Sequence, residues 1–76
     1  MSGNVPPTLK LGSTGPIVEG LQRDLSAKGY LDAGAVNGSF DATTENAVKK
    51  FQQDNGLTAD GVVGPQTGQK LGGPPA

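Results

Sequence analysis

The sequence predicts an all-α fold, a compact bundle of three helices joined by turns. Apolar residues fall at helical spacing in separate stretches, boundary residues stand at their ends, and one phrase is spelled twice. In the first stretch Ile17, Val18, Leu21 and Leu25 share a helical stripe. Ser13 or Thr14 is available as its N-cap, and Pro16 falls in the first turn, where a missing N–H is no loss. Lys28-Gly29 closes it: a cation in the last turn, then a residue that tolerates positive φ.

The second stretch carries Ala47, Val48 and Phe51 on one face. Asp41 is its expected N-cap, Glu45 lies near the positive end of the helix dipole, and Asn55-Gly56 forms the stop. A shorter third helix is predicted to begin at Pro65, after Gly64, and to bury Leu71. The connections YLDAGAVNGSF and LTADGVV are each too short for a strand pair of their own. Residues 1–8 and 73–76, rich in Pro and Gly, read as flexible N-terminal linker and C-terminal tail around a domain at 9–72.

The repetition explains how so small a chain makes a core. Thr14, Val18, Leu21 and Gln22 return as Thr44, Val48, Phe51 and Gln52. Asn37, Gly38, Phe40, Thr44 and Val48 return as Asp60, Gly61, Val63, Thr67 and Leu71. The unit is a turn, an inward apolar residue, a capped helix start and an apolar stripe. One helix cannot bury its stripe alone, so the copies must close over each other.

Composition narrows function by exclusion. The chain has 76 residues with 13 Gly, 6 Pro, no Cys and no His. Disulfides and a zinc site of His and Cys ligands are therefore ruled out, and no metal or other cofactor is expected. A domain this size buries only about 60% of its unfolded surface, so stability must come from the core and the caps. Net charge is −1, with no basic cluster beyond Lys49-Lys50, so the phosphate-neutralising footprint of a nucleic-acid binder is missing. No apolar run approaches ~18 residues, and no membrane partner is expected. The start, MSGNVPPTLK, lacks the apolar stretch of a signal peptide.

Laid out in order, these residues resemble the peptidoglycan-binding domain family of bacterial and phage cell-wall enzymes. The residues that carry the resemblance are Leu11-Gly12, Gly15, Val18, Leu21-Gln22, Leu25, Gly29-Tyr30, Gly38, Phe40, Thr44, Ala47-Val48, Phe51-Gln52, Gly56-Leu57, Asp60-Gly61, Val63-Gly64, Thr67 and Leu71. They span about residues 9–72. The resemblance implies a monomeric three-helix module that is not itself catalytic. Such a module holds a covalently linked hydrolase on the wall, outside the cell, as part of a larger secreted or phage-encoded protein. Asn37 stands where the family commonly has Asp-Gly, and Asp41 where it often has Gly; both residues suit cap and turn roles.

Ligand contacts are expected from Gln22, Arg23, Tyr30, Asn37 and Asp60. Peptidoglycan offers N-acetylated sugars in its glycan strands and stem peptides with free carboxylates, so a groove needs amide and hydroxyl partners and a cation. Arg23 can grip a carboxylate, while Tyr30, Asn37 and Asp60 place hydrogen-bonding groups on the two connections. Gln22 and Gln52, one residue past a core position, can either bond a loop carbonyl or line a groove. Asn37-Gly38 and Asp60-Gly61 also read as turn dipeptides, and Thr44 and Thr67 can bond back to their turns.

Two other classes stay in view. An enzyme would need a nucleophile and base, yet Ser2, Ser13, Ser26 and Ser39 have no imidazole to activate them. A carboxylate pair drawn from Asp32, Asp41, Glu45, Asp54 and Asp60 is arithmetically available, but these acids sit at caps and turns. A protein-interaction or prodomain-like role without glycan binding is the alternative, although an inhibitory prodomain that offers a Cys to a catalytic metal is excluded here.

Overall fold

A computed structural model describes residues 8–72. It contains α1 (Pro16–Ala27), a single 3₁₀ turn at Ala33–Ala35, α2 (Ala42–Asp54) and α3 (Pro65–Gly72). Among the described residues there is no strand, only isolated antiparallel bridges, Leu9 with Val63 and Thr14 with Ser39. The three-helix fold is therefore as the sequence predicts. Residues 1–7 and 73–76, read as flanks, lie outside the described residues.

Helix ends follow local chemistry. The Asp41 carboxylate accepts the Thr44 N–H at 3.1 Å and caps α2 as expected. Two helices stop in the same way. Gly29 N–H donates to Ser26 O (3.0 Å) and Tyr30 N–H to Leu25 O (2.8 Å); Gly56 N–H donates to Gln53 O (3.2 Å) and Leu57 N–H to Gln52 O (2.8 Å). This doubled bond satisfies the last carbonyls of α1 and α2. Pro65 opens α3.

The start of α1 departs from expectation. Gly15 is the N-cap, at φ 119, and no side chain caps the helix. Ser13 and Thr14 are occupied elsewhere, because the chain before α1 pairs with the chain before α2. Gly12 N–H donates to Phe40 O, Phe40 N–H to Ser13 O, and Gly15 N–H to Gly38 O, at 2.9–3.0 Å. Turning from this ladder into the helix needs a backbone that only glycine adopts without strain.

The expected core residues Val18, Leu21, Leu25, Phe40, Ala47, Val48, Phe51, Val63 and Leu71 are all buried in one cluster, joined by Leu9 and Leu31. α1 packs against both α2 and α3. Leu9 is pinned by reciprocal bonds with Val63 (3.1 and 2.8 Å), so the entering chain seals the edge of the core. Ile17 is the exception in the predicted stripe, 56% exposed. It lies one residue, about 100° of helix, from Val18, and the buried face runs through Val18, Leu21, Gln22 and Leu25 instead.

Candidate functional site

Two buried glutamines organise the connections. Gln22 on α1 has no exposed surface. Its Nε2 donates toward Asn37 Oδ1 (3.2 Å), Ser39 O (2.9 Å) and Thr44 Oγ1 (2.9 Å), while its Oε1 accepts from Asn37 N–H (2.9 Å) and Gly38 N–H (2.8 Å). Gln52 on α2 repeats the arrangement. Its Nε2 donates toward Asp60 Oδ1 (3.0 Å), Val62 O (2.9 Å) and Thr67 Oγ1 (3.1 Å), and its Oε1 accepts from Gly61 N–H (2.9 Å). Each amide thus clasps a turn and the helix that follows it. A buried amide is tolerable only when its polar atoms are bonded, and among the described residues no buried side-chain polar atom lacks a partner.

The clasps settle several roles left open by the sequence. Of the two roles open to Gln22 and Gln52, both bond a loop carbonyl. Thr44 and Thr67 were expected to bond back to their turns; their hydroxyls accept from the glutamines of the preceding helix instead, because the clasp fills that space. Thr14, the sequence counterpart of Thr44, is exposed and bridges Ser39. No earlier helix exists among the described residues to offer it a glutamine.

Asn37 and Asp60 occupy equivalent places. Asn37 Oδ1 also accepts from Ser39 N–H at 2.9 Å, and Asp60 Oδ1 from Val62 N–H at 3.0 Å, so each side chain folds over its own turn. In both cases one side-chain oxygen is used by the fold and the rest of the group faces outward. The Asp60 carboxyl is held below its ordinary value, chiefly by the Val62 N–H, with partial burial acting against this and the Gln52 amide adding to it.

The remaining predicted contacts lie apart. Arg23 is exposed on α1 and paired with Glu19 at 2.9 Å, one helical turn away. With Ser26, Ala27, Ala33 and Val36 these two residues line a shallow groove of about 420 Å³. The Tyr30 ring meets Phe51 edge to face at 5.5 Å, and its hydroxyl donates to Asp54 Oδ2 at 2.7 Å. That hydrogen bond, followed by desolvation and the Asp54 charge, raises the phenol above its ordinary value.

A second groove lies between residues 57–62 and the first turn of α3. Leu57, Thr58, Asp60, Val62, Pro65 and Gln66 are among its walls, and its volume is about 460 Å³. Arg23 and Asp60 therefore belong to different grooves, and the structure joins only Gln22 and Asn37 by a direct bond. Gln52 also borders this groove, so it both bonds a loop carbonyl and lines a groove; apart from Gln52 and Asp60, the walls of the second groove carried no ligand-binding reading in the sequence. The repeat held a signal: Gly64 stands where Asp41 stands in the first copy. Asp41 lays a carboxylate over the opening turn of α2, whereas Gly64 leaves that space at α3 empty.

Fold and site define a small helical module with grooved faces set between its turns. Residues 14–71 match the peptidoglycan binding domain family, and the chain belongs to it. It is similar to the zinc D-Ala-D-Ala carboxypeptidase of Streptomyces albus G, with 42% identity over 67 residues, 84% of this chain and 26% of that protein. The SleB N-terminal domain superposes with a TM-score of 0.81 at 35% identity, covering 86% of this chain and 88% of that one. The Burkholderia AP3 phage endolysin gives 0.80 at 40% identity, over 86% of this chain and 24% of that one. The chain thus spans about a quarter of the carboxypeptidase and of the endolysin it matches.

Proposed function

We propose that this chain is a non-catalytic module that binds peptidoglycan and anchors an attached hydrolase to the bacterial wall. The observation that carries the reading is family membership across residues 14–71, within a fold shared at a TM-score of 0.81. Support for the attached enzyme comes from the named relatives, a carboxypeptidase and an endolysin, of which the matched part is a minor share. The place of action is the cell wall, as part of a larger secreted or phage-encoded protein.

Contacts in this reading come from Arg23 in one groove, Asp60 in the other, and the outward edges of Tyr30 and Asn37. Gln22 acts through Asn37, which it holds. Exposed polar contacts contribute about 1 kcal/mol each at best, so binding by the free module is weak. Weak binding is adequate for a tether, because a linked partner then works at an effective concentration that can reach the millimolar range.

Sedimentation with insoluble peptidoglycan tests this reading. The module is expected in the pellet, with the turbidity of the wall suspension unchanged. Protein left in the supernatant, or protein that binds the parent enzyme but no wall, overturns it. A fall in turbidity overturns the non-catalytic part.

A further inference from the structure

The second groove does not end at the first turn of α3. A further depression of about 580 Å³, lined by Gly56, Leu57, Gln66, Gln69 and Lys70, shares Leu57 and Gln66 with it. The two form one trough along α3. Its charged groups are divided between the two depressions, Asp60 lining the first and Lys70 the second. Among the described residues neither forms an ion pair. Leu57 and Pro65 supply apolar wall between them, and the Gln66 and Gln69 amides lie on the same helical face as Lys70.

Dimensions limit what fits. Lys70 stands about 7 Å along the helix axis from Pro65, at 1.5 Å rise per residue. Asp60 and Thr67 bond the same Gln52 amide, at 3.0 and 3.1 Å, so Asp60 stands beside Thr67, about 4.5 Å of helix rise from Lys70. With the Lys70 side chain extended, the two charges are on the order of 10 Å apart, the length of about three extended residues. The glycan strand is built of N-acetylated sugars and offers no amine for Asp60. An uncross-linked stem peptide does offer both charges: a free amine on its diamino residue and a free carboxylate at its end.

We infer that the trough from Asp60 to Lys70 binds the uncross-linked stem peptide, amine toward Asp60 and carboxylate toward Lys70, rather than the sugars. The inference rests on the wall-binding reading and names the part of the wall that is held. The Val62 N–H favours the charged form of the Asp60 carboxyl, which is held below its ordinary value. Cross-linking consumes the amine, so the trough distinguishes loose peptide from finished mesh.

The test is a titration of the isotopically labelled module, followed by amide shifts. Three probes are used: a sugar-free stem tetrapeptide with free amine and carboxylate, the same peptide acetylated on that amine, and a peptide-free N-acetylated oligosaccharide. The free peptide is expected to shift Leu57, Thr58, Val62, Gln66 and Gln69. Acetylation, Asp60→Asn and Lys70→Gln are each expected to weaken it about two- to fivefold, as exposed charge contacts do. Asp60→Asn should keep its turn, since Asn37 makes the same bonds in the first copy. Lys50→Gln, an equal charge change on the exposed face of α2, should leave affinity unchanged.

Shifts produced by the oligosaccharide and not the peptide, or peptide shifts gathered around Arg23, overturn the inference. So does equal binding of the acetylated peptide. A module that pellets with wall but ignores the free peptide fails this inference alone. A module that does not pellet fails the wall-binding reading itself.

Discussion

The two clasped turns are built on the same plan, a buried glutamine amide bonded to a turn and to the helix that follows it, yet their surroundings differ. In the first copy Gly38 is half-buried, packed on the backbone of Gly15, and the chain around it forms a 3₁₀ turn and a capped helix start. In the second copy Gly61 is buried under α2. A Cβ there would lie 2.8 Å from Glu45 Cγ and 3.1 Å from Lys49 Cε, so that face of the turn is shut. Its other face, beside α3, stands open as a trough. The repeat keeps what the core requires and changes what solvent or a ligand can reach. Binding specificity is then to be sought where the copies diverge.

The largest expected effect tests what the copies share. Phe51 lies on α2 in the common core, so Phe51→Ala should cost about 3–5 kcal/mol in chemical denaturation, enough to unfold much of the domain at ambient temperature. A loss below about 1 kcal/mol would mean that the copies are stable without each other.

Replacing each clasp in turn compares the copies directly. Gln22→Leu strands the Asn37 and Gly38 N–H groups, but these are only part-buried and water can reach them. Gln52→Leu strands the single Gly61 N–H, which is buried. An unmet buried donor costs about 1–3 kcal/mol, and the one that water cannot rescue costs most. Gln52→Leu should therefore be the more damaging, at about 3 kcal/mol against about 2 kcal/mol, by denaturant midpoint at constant slope. The reverse order would mean that burial does not set the cost of losing a clasp.

Much of this fold is legible in the order of its residues. Asp41, Pro16, Pro65, Gly29 and Gly56 mark helix ends because capping is local chemistry, readable within a few residues. The core stripe is legible for the same reason, with Ile17 the miss, since a neighbouring apolar residue on a short helix does not declare which face turns inward. The clasps are half legible. Both repeats place Gln, Asn or Asp, Gly and Thr in register, but whether an amide points at a loop or at solvent depends on how distant segments meet. The trough is least legible, because it is a space left open. Only Gly64 in the place of Asp41 hints at it.

Smaller effects sharpen the comparison. Tyr30→Phe keeps the edge-to-face contact with Phe51 and loses only an exposed bond to Asp54, so a small drop in thermal midpoint is expected, well below that of either glutamine variant. The phenol is raised in the folded state above 10.0. Its stabilisation is therefore complete below that value and lost as pH rises through the folded pKa; Tyr30→Phe should flatten the alkaline limb.

Asp60→Asn should change stability least at neutral pH, within about 0.5 kcal/mol. Its effect lies in acid. The folded carboxyl is lowered from 3.8, so its contribution is present above 3.8 and is lost as pH falls through the folded value. In the variant the acid limb of the stability curve should be shallower, giving the second clasp the neutral chemistry that Asn37 gives the first. An unchanged acid limb would show that Asp60 does not hold its turn as an anion.

The domain is built around two amides buried in equivalent clasps, and their side-chain NH₂ protons can be watched in solution. The chain carries other glutamines, Gln53, Gln66 and Gln69, all exposed, as internal references. Hydrogen exchange followed by NMR should find the Gln22 and Gln52 side-chain protons strongly protected, while those of the three references exchange at the rate of free amides. If all five exchange alike, neither glutamine is clasping its turn and the twofold construction of the domain is wrong.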